Sequence, residues 1–97
     1  MEEKTFAVYI MTNIKNTVLY TGSSTGLKAR GWSHKQKMVP GFTRRYNITK
    51  LVYFETCEDY DTMLGRERQI KAGSRAGKIK LIESKNPQWR DLYDELD

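Results

Sequence analysis

Several things are scarce in this chain, and each scarcity removes a class of protein. A single cysteine, Cys57, cannot close an internal disulfide and has no second thiol with which to build a zinc site. No stretch approaches the roughly 18 consecutive apolar residues of a membrane span, so no membrane partner is expected. The start, Met1-Glu2-Glu3-Lys4-Thr5, is acidic and runs directly into a strand-like stretch, which does not fit a secretory signal. A reducing cytoplasm is the expected compartment. Internal repeats, low-complexity tracts and linkers are also missing, leaving one domain over residues 1–97 as the expectation. Acidic residues are thin in the middle of the chain, and His34 is the only histidine.

What is present reads as a folded domain. Hydrophobic residues make up 38% of the chain, with six Tyr, two Trp and three Phe. A chain of this length buries roughly 60–65% of the surface that its unfolded state exposes, which allows a small core. The net charge is +5, but its distribution says more. Residues 28–80 hold thirteen Lys/Arg against five Asp/Glu, while residues 81–97 hold two against five. A basic middle beside a neutral start and an acidic tail suggests one face built for a polyanion; a merely soluble basic surface is the blander account.

Alternating β-branched and aromatic residues mark strands at Thr5–Thr12, Thr17–Gly22 and Thr49–Glu55. Helices fit best at about 26–37, 59–72, 75–84 and 87–95. Asp59 can cap the second of these and Ser74 the third; Asn86-Pro87 offers a start for the last. The order β-β-α-β-α-α-α predicts an α+β fold, a three-stranded antiparallel sheet flanked by helices.

Three constellations could carry chemistry. If Asn13–Asn16 form a symmetric hairpin turn, Tyr9 lies directly opposite Tyr20, and Ala7 opposite Gly22, so two phenols stand on one face. An ordinary cross-strand aromatic pair is the simpler account, and a one-residue bulge would abolish the pairing. On the helix at 59–72, a rotation of about 100° per residue puts Glu67 inside the stripe of Met63, Leu64 and Ile70. A carboxylate facing a core has to be paired, for example with Arg30 or Lys71, or has to hold a metal. Arg30 and His34 are four residues apart on one helical face, with Lys37 a turn further, a spacing that suits phosphate handling. For an isolated histidine an exposed helix position is the commoner outcome. Arg44, Arg45, Lys71, Arg75, Lys78 and Lys80, interleaved with Trp32, Phe42, Tyr46 and Trp89, resemble a nucleic-acid surface, although Lys78 and Lys80 also suit a solvated face.

The order of these elements resembles the GIY-YIG endonuclease family. The resemblance rests on Ala7-Val8-Tyr9, then Tyr20-Thr21-Gly22, then Leu27-x-x-Arg30-x-x-x-His34, then the helical Glu67. Arg66 to Lys71 with Ser74-Arg75, followed by Asn86-Pro87-x-Trp89-x-Asp91-Leu92, is similar to its small single-domain bacterial branch. Ala7 stands where the family's first tripeptide begins with glycine, and Thr21 where the second has isoleucine. The resemblance implies that Tyr20 helps to activate the attacking water and that Tyr9 supports that water or orients its partner. It further implies that Arg30 stabilises charge on the phosphate, Glu67 holds one Mg²⁺ or Mn²⁺ ion, and His34 assists in acid–base chemistry. Arg44, Arg45, Lys71, Arg75 and Asn86 are the residues expected to meet nucleic acid. A phenol titrates near about 10, so Tyr20 could act as a base only if nearby cations lowered that value.

The implied activity is metal-dependent hydrolysis of phosphodiesters in DNA; these residues do not separate DNA from RNA. With no separate DNA-reading domain in view, low sequence specificity is expected of a monomer, unless DNA structure or a protein partner directs it. A catalytically idle module gripping nucleic acid through the same basic face is the rival reading, and a structural domain with a core ion pair at Glu67 is another.

Overall fold

A computed structural model describes residues 5–37 and 41–96; the acidic start at residues 1–4 lies outside the described residues. The fold is α+β, a three-stranded antiparallel sheet with helices on both faces. β1 (Phe6–Thr12), β2 (Leu19–Ser24) and β3 (Lys50–Cys57) form the sheet in the order β2-β1-β3. α1 (Leu27–Lys35) and the single turn α2 (Phe42–Arg45) fall between β2 and β3; α3 (Tyr60–Ala72) and α4 (Arg75–Lys85) follow β3.

β1 is the central strand, and Ala7 to Thr12 are all buried, because both of its faces are covered. One face carries Val8 and Ile10 with Val52 and Tyr53, packed on Met63 and Ile70 of α3 and Ile82 of α4. The other carries Ala7, Tyr9 and Met11 with Leu51, packed beneath Leu27 of α1, Ile48, and the C-terminal Leu92 and Leu96. Val52 and Tyr53 fall on one face because the β1–β3 register shifts between Ile10 and Met11. Asp59 caps α3, its carboxylate accepting from the Thr62 amide, and Ser74 caps α4 through the Gly77 amide, as their positions predict.

Two expectations fail, each because of one asparagine. The hairpin does not pair Tyr9 with Tyr20. Tyr9 lies opposite Gly22, Tyr20 opposite Met11, and Ala7 opposite Ser24. The Asn13 side chain accepts from the amides of Thr17 and Val18 and donates to the Thr17 hydroxyl, so the loop takes in both residues. Asn16 completes the turn at a positive φ of 59°. This shifts the pairing by two positions, which keeps Tyr9 and Tyr20 on one face as diagonal neighbours.

The second is the helix expected at 87–95. It is absent; the segment makes a turn at residues 87–88, passes through a left-handed Trp89 at a φ of 56°, and ends in a 3₁₀ turn at Tyr93–Glu95. Asn86 closes α4 instead of opening a new helix. Its amide donates to the Val52 and Arg90 carbonyls, and its oxygen accepts from the Arg90 amide. The strap that follows covers the start of the β3 edge: Leu92 N–H donates to the Leu51 carbonyl at 2.7 Å, and Leu51 N–H donates to Asp91. Lys35 of α1 pairs with Asp91 and ties the strap to the opposite layer.

Asn86→Ala therefore leaves the buried Val52 carbonyl without its donor and frees the strap. We expect a loss of about 1–3 kcal/mol, typical of a buried polar group left unsatisfied, read as a lower urea midpoint. An unchanged midpoint would show that the strap holds without it.

Candidate functional site

The strap covers the start of the β3 edge, and the candidate residues gather at the other sheet edge, β2. Tyr9 stands on β1 and Tyr20 on β2, their ring centroids 6.4 Å apart. The Tyr9 ring reaches across Gly22: a Cβ at that position would lie 2.7 Å from both Cζ and the hydroxyl oxygen of Tyr9, and 3.1 Å from the Tyr20 ring. Glycine is needed here for close approach, and it lets the Tyr9 hydroxyl lie over the edge strand. Ala7 is not the residue that meets Gly22, so the methyl it carries in place of glycine faces Ser24 instead. Thr21 points to the opposite face, beside Ile10, and is buried with its hydroxyl unpartnered among the described residues.

α1 brings in His34. Its ring is buried, 2% exposed, rather than standing out on the helix face. Nε2 lies 3.3 Å from the Tyr9 hydroxyl, and the ring contacts both phenols, at 6.1 Å from Tyr9 and 5.6 Å from Tyr20. Burial, and then the positive charge of Arg30, holds the imidazole below its usual pKa. It is therefore neutral at neutral pH. Arg30, one turn earlier, is exposed. Lys37 lies beyond the end of α1, at a φ of 56°, and does not extend this face.

Burial, followed by the influence of Tyr20, lifts the Tyr9 hydroxyl well above the usual phenol range; Arg30 acts against this and Glu67 adds to it. Tyr9 thus stays protonated, a hydrogen-bond donor and not a base.

Glu67 occupies the core-facing stripe of α3 between Met63 and Ile70, with its side chain 17% exposed. Ser23 of β2 donates a hydrogen bond to one carboxylate oxygen, and the Lys71 ammonium lies 2.5 Å from the other. Burial works against its ionisation, but Lys71, Ser23 and the Arg68 charge outweigh it and hold the carboxyl below its ordinary range. Arg30 is not its ion-pair partner.

Arg44 and Arg45 are exposed on α2, beside an aromatic ladder that starts at Tyr20. Phe42 stacks on Tyr20 with centroids 6.4 Å apart and planes at 26°, and Tyr46 lies 4.7 Å from Phe42. Composition alone gave no signal for α2, which is a single turn inside a basic loop. Arg75 is exposed at the start of α4. Asn86 is buried, with both amide donors and its oxygen engaged inside the protein, so it does not join this surface. Lys78 donates to the Lys71 and Gly73 carbonyls and so closes α3. Trp89 is half-buried against the core and donates to Glu83, whereas Trp32 lines a groove with Leu27, Phe54 and Tyr93.

The chain is similar to several known proteins. The sequence profile described as "GIY-YIG catalytic domain" matches residues 5–80. A UPF0213 protein of Clostridium perfringens is 38% identical over 89 residues, covering 92% of this chain and 95% of its own. A second, from Staphylococcus haemolyticus, is 35% identical over 78 residues, 80% of this chain and 94% of its own. The solution structure of a UPF0213 protein from Bacillus halodurans superposes with a TM-score of 0.57 at 23% identity, covering 90% of this chain and 92% of the other, and shares the fold.

The buried imidazole makes stability depend on pH with a definite sign. Its folded pKa lies below the unfolded value of 6.5. Between those two values the unfolded chain binds a proton that the native site refuses, so stability is full above pH 6.5 and falls as pH drops through the window. We expect the thermal midpoint to decline below that pH, and His34→Gln to remove this part of the slope. A slope unaffected by the substitution would mean that the ring titrates freely.

Proposed function

The chain belongs to the GIY-YIG catalytic-domain family, and from that premise we propose that it is a divalent-metal-dependent endonuclease hydrolysing phosphodiester bonds in DNA with low sequence specificity. The observation that carries this reading is the gathering at the β2 edge of two phenols and a neutral imidazole on one face and, through Ser23, an ionised carboxylate on the other, with the exposed Arg30 one turn from His34 on α1.

Hydrolysis adds the oxygen of water to phosphorus while the bond to the leaving sugar oxygen breaks. One proton must leave the water and one must reach the leaving group. Arg30 supports the negative charge that builds on the phosphoryl oxygens, for which a guanidinium can offer two parallel donors. Tyr20, less buried than Tyr9, takes or orients the proton of the attacking water. Tyr9, kept protonated by burial, donates to the nucleophile or to the transition-state oxygens, and His34 fixes its hydroxyl.

Glu67 suits a hard divalent cation. Mg²⁺ commonly takes one or two carboxylates and completes its shell with water and substrate phosphate, so a single ionised carboxylate at the site edge is an adequate protein ligand. Such an ion would supply Lewis-acid stabilisation of the phosphate and of the leaving oxygen. Lys71 stands on the carboxylate that would hold it, so its ammonium would compete with the cation for that oxygen. Arg44, Arg45 and Arg75 hold flanking phosphates, contacts that carry no sequence information. We place the protein in the cytoplasm as a monomer, in keeping with the free thiol of Cys57.

Purified protein with supercoiled plasmid and single-stranded DNA, in Mg²⁺, Mn²⁺ or EDTA, tests the reading. Wild type is expected to nick in the presence of metal and to stop in EDTA. Glu67→Gln and Arg30→Ala should each lower the rate by about 10²-fold or more. Intact cutting by Glu67→Gln would sink the metal assignment. DNA binding without any cutting by wild type would favour the rival, an idle binding module in which the Lys71–Glu67 pair is permanent.

Lys71→Met separates these readings further. With the competing ammonium gone, calorimetry should show tighter Mn²⁺ binding, and the Mg²⁺ concentration for half-maximal nicking should fall. Unchanged affinity would mean that the ammonium does not compete for the carboxylate.

A further inference from the structure

The aromatic ladder at α2 is not needed to hold the fold together. Phe42 is 47% exposed and Tyr46 41% exposed, and neither belongs to the two core clusters. Yet both are held firmly. Thr43 between them is buried, and its carbonyl accepts from the amide of the buried Ile48 at 2.9 Å. The turn enters through Gly41 at a φ of 90° and leaves through Asn47 at 56°, so its two ends are fixed by residues suited to left-handed backbone. A four-residue helix anchored in this way presents rings outward.

The direction of the ladder is informative. Phe42 is nearly parallel to the Tyr20 ring at a centroid separation of 6.4 Å, less than two nucleotide steps of about 3.4 Å. At its outer end the Arg45 guanidinium lies 5.6 Å from the Tyr46 ring, and Arg44 is exposed next to it. Half-exposed rings, one with a guanidinium over it and another exposed arginine nearby, match single-stranded nucleic acid, whose bases stack on aromatic surfaces while its phosphates are held. A base inside a duplex has both faces covered by its neighbours and cannot use such a platform.

We propose that Phe42 and Tyr46 form a stacking subsite for an unpaired base next to the scissile phosphate, which makes single-stranded or locally unpaired DNA the preferred substrate. The location "next to the scissile phosphate" rests on the nuclease reading above, whereas the stacking itself does not. Arg44 and Arg45 neutralise the phosphates of the stacked nucleotides and act on any strand.

Binding in EDTA, where no cleavage is expected, tests the subsite independently of chemistry. The probes are a single-stranded oligonucleotide containing 2-aminopurine and the same sequence as a duplex, followed by fluorescence and anisotropy over a salt series. Wild type should bind the single strand more tightly and quench 2-aminopurine on stacking. Phe42→Ala with Tyr46→Ala should weaken single-strand binding by roughly 10-fold or more and abolish the quenching, while duplex affinity changes by less than about 2-fold. Phe42→Trp, which keeps a ring, should retain both, and an unchanged thermal midpoint in each variant excludes unfolding as the cause. Arg44→Ala with Arg45→Ala should weaken both probes and flatten the salt dependence. Equal affinity of wild type for the two probes, or full single-strand binding and quenching after loss of both rings, overturns the subsite even if the protein cuts DNA. Retained discrimination in a protein that never cuts would leave the subsite standing and remove only the nuclease reading.

Discussion

The contact between Tyr9 and the bare backbone at Gly22 is what the candidate site is built on. Any side chain at position 22 would occupy the space that holds the end of the Tyr9 ring. The ring would then have to turn away from the edge strand, and a buried strand packed on both faces has few directions in which to yield. His34 depends on the same contact, because its nearest polar partner is the hydroxyl that Gly22 admits. Tyr20 leans against both rings and carries Phe42 in turn. A single missing Cβ therefore organises an aromatic run from the core to the surface.

The position of the site on an edge strand follows from how the two edges are treated. The C-terminal strap covers the start of β3 with hydrogen bonds at Leu51 and Val52, which also shortens its open pairing surface. β2 then becomes the place where groups from opposite faces of the sheet can approach one another. Tyr9, Tyr20 and His34 come from the α1 face, while Glu67 reaches Ser23 of β2 from the α3 face.

Much of this was legible in the sequence where periodicity and capping act locally. Asp59 and Ser74 begin helices because a short polar side chain satisfies a free amide there, and Glu67 stood out because a carboxylate on an apolar stripe needs a reason. What could not be read depended on side chains bonding to distant or competing backbone. Asn13 and Asn16 look like the two ends of a four-residue turn, but Asn13 gathers two further amides and moves the register by two. The movement by an even number is why the shared face of the tyrosines survived an incorrect pairing. Asn86-Pro87 has the composition of a helix start, but the Val52 carbonyl, far away in sequence, claims the amide first. The burial of His34 likewise required knowing that Gly22 opens a slot for Tyr9, a fact about two strands and not about α1.

The electrostatic arrangement divides two chemically identical side chains between different tasks. Tyr9 lies in the core with its proton held by burial, whereas Tyr20, two positions along the ladder and partly open, meets solvent and the aromatic rungs of α2. A pair of phenols in identical surroundings would compete for the same role; placing one under the sheet face and the other at its rim removes that symmetry. The difference follows from the strands that carry them, Tyr9 on the central β1 and Tyr20 on the edge strand β2. The asparagine-controlled loop at residues 13–18 acts on the site from the far end of the hairpin, by setting Gly22 rather than Tyr20 opposite Tyr9.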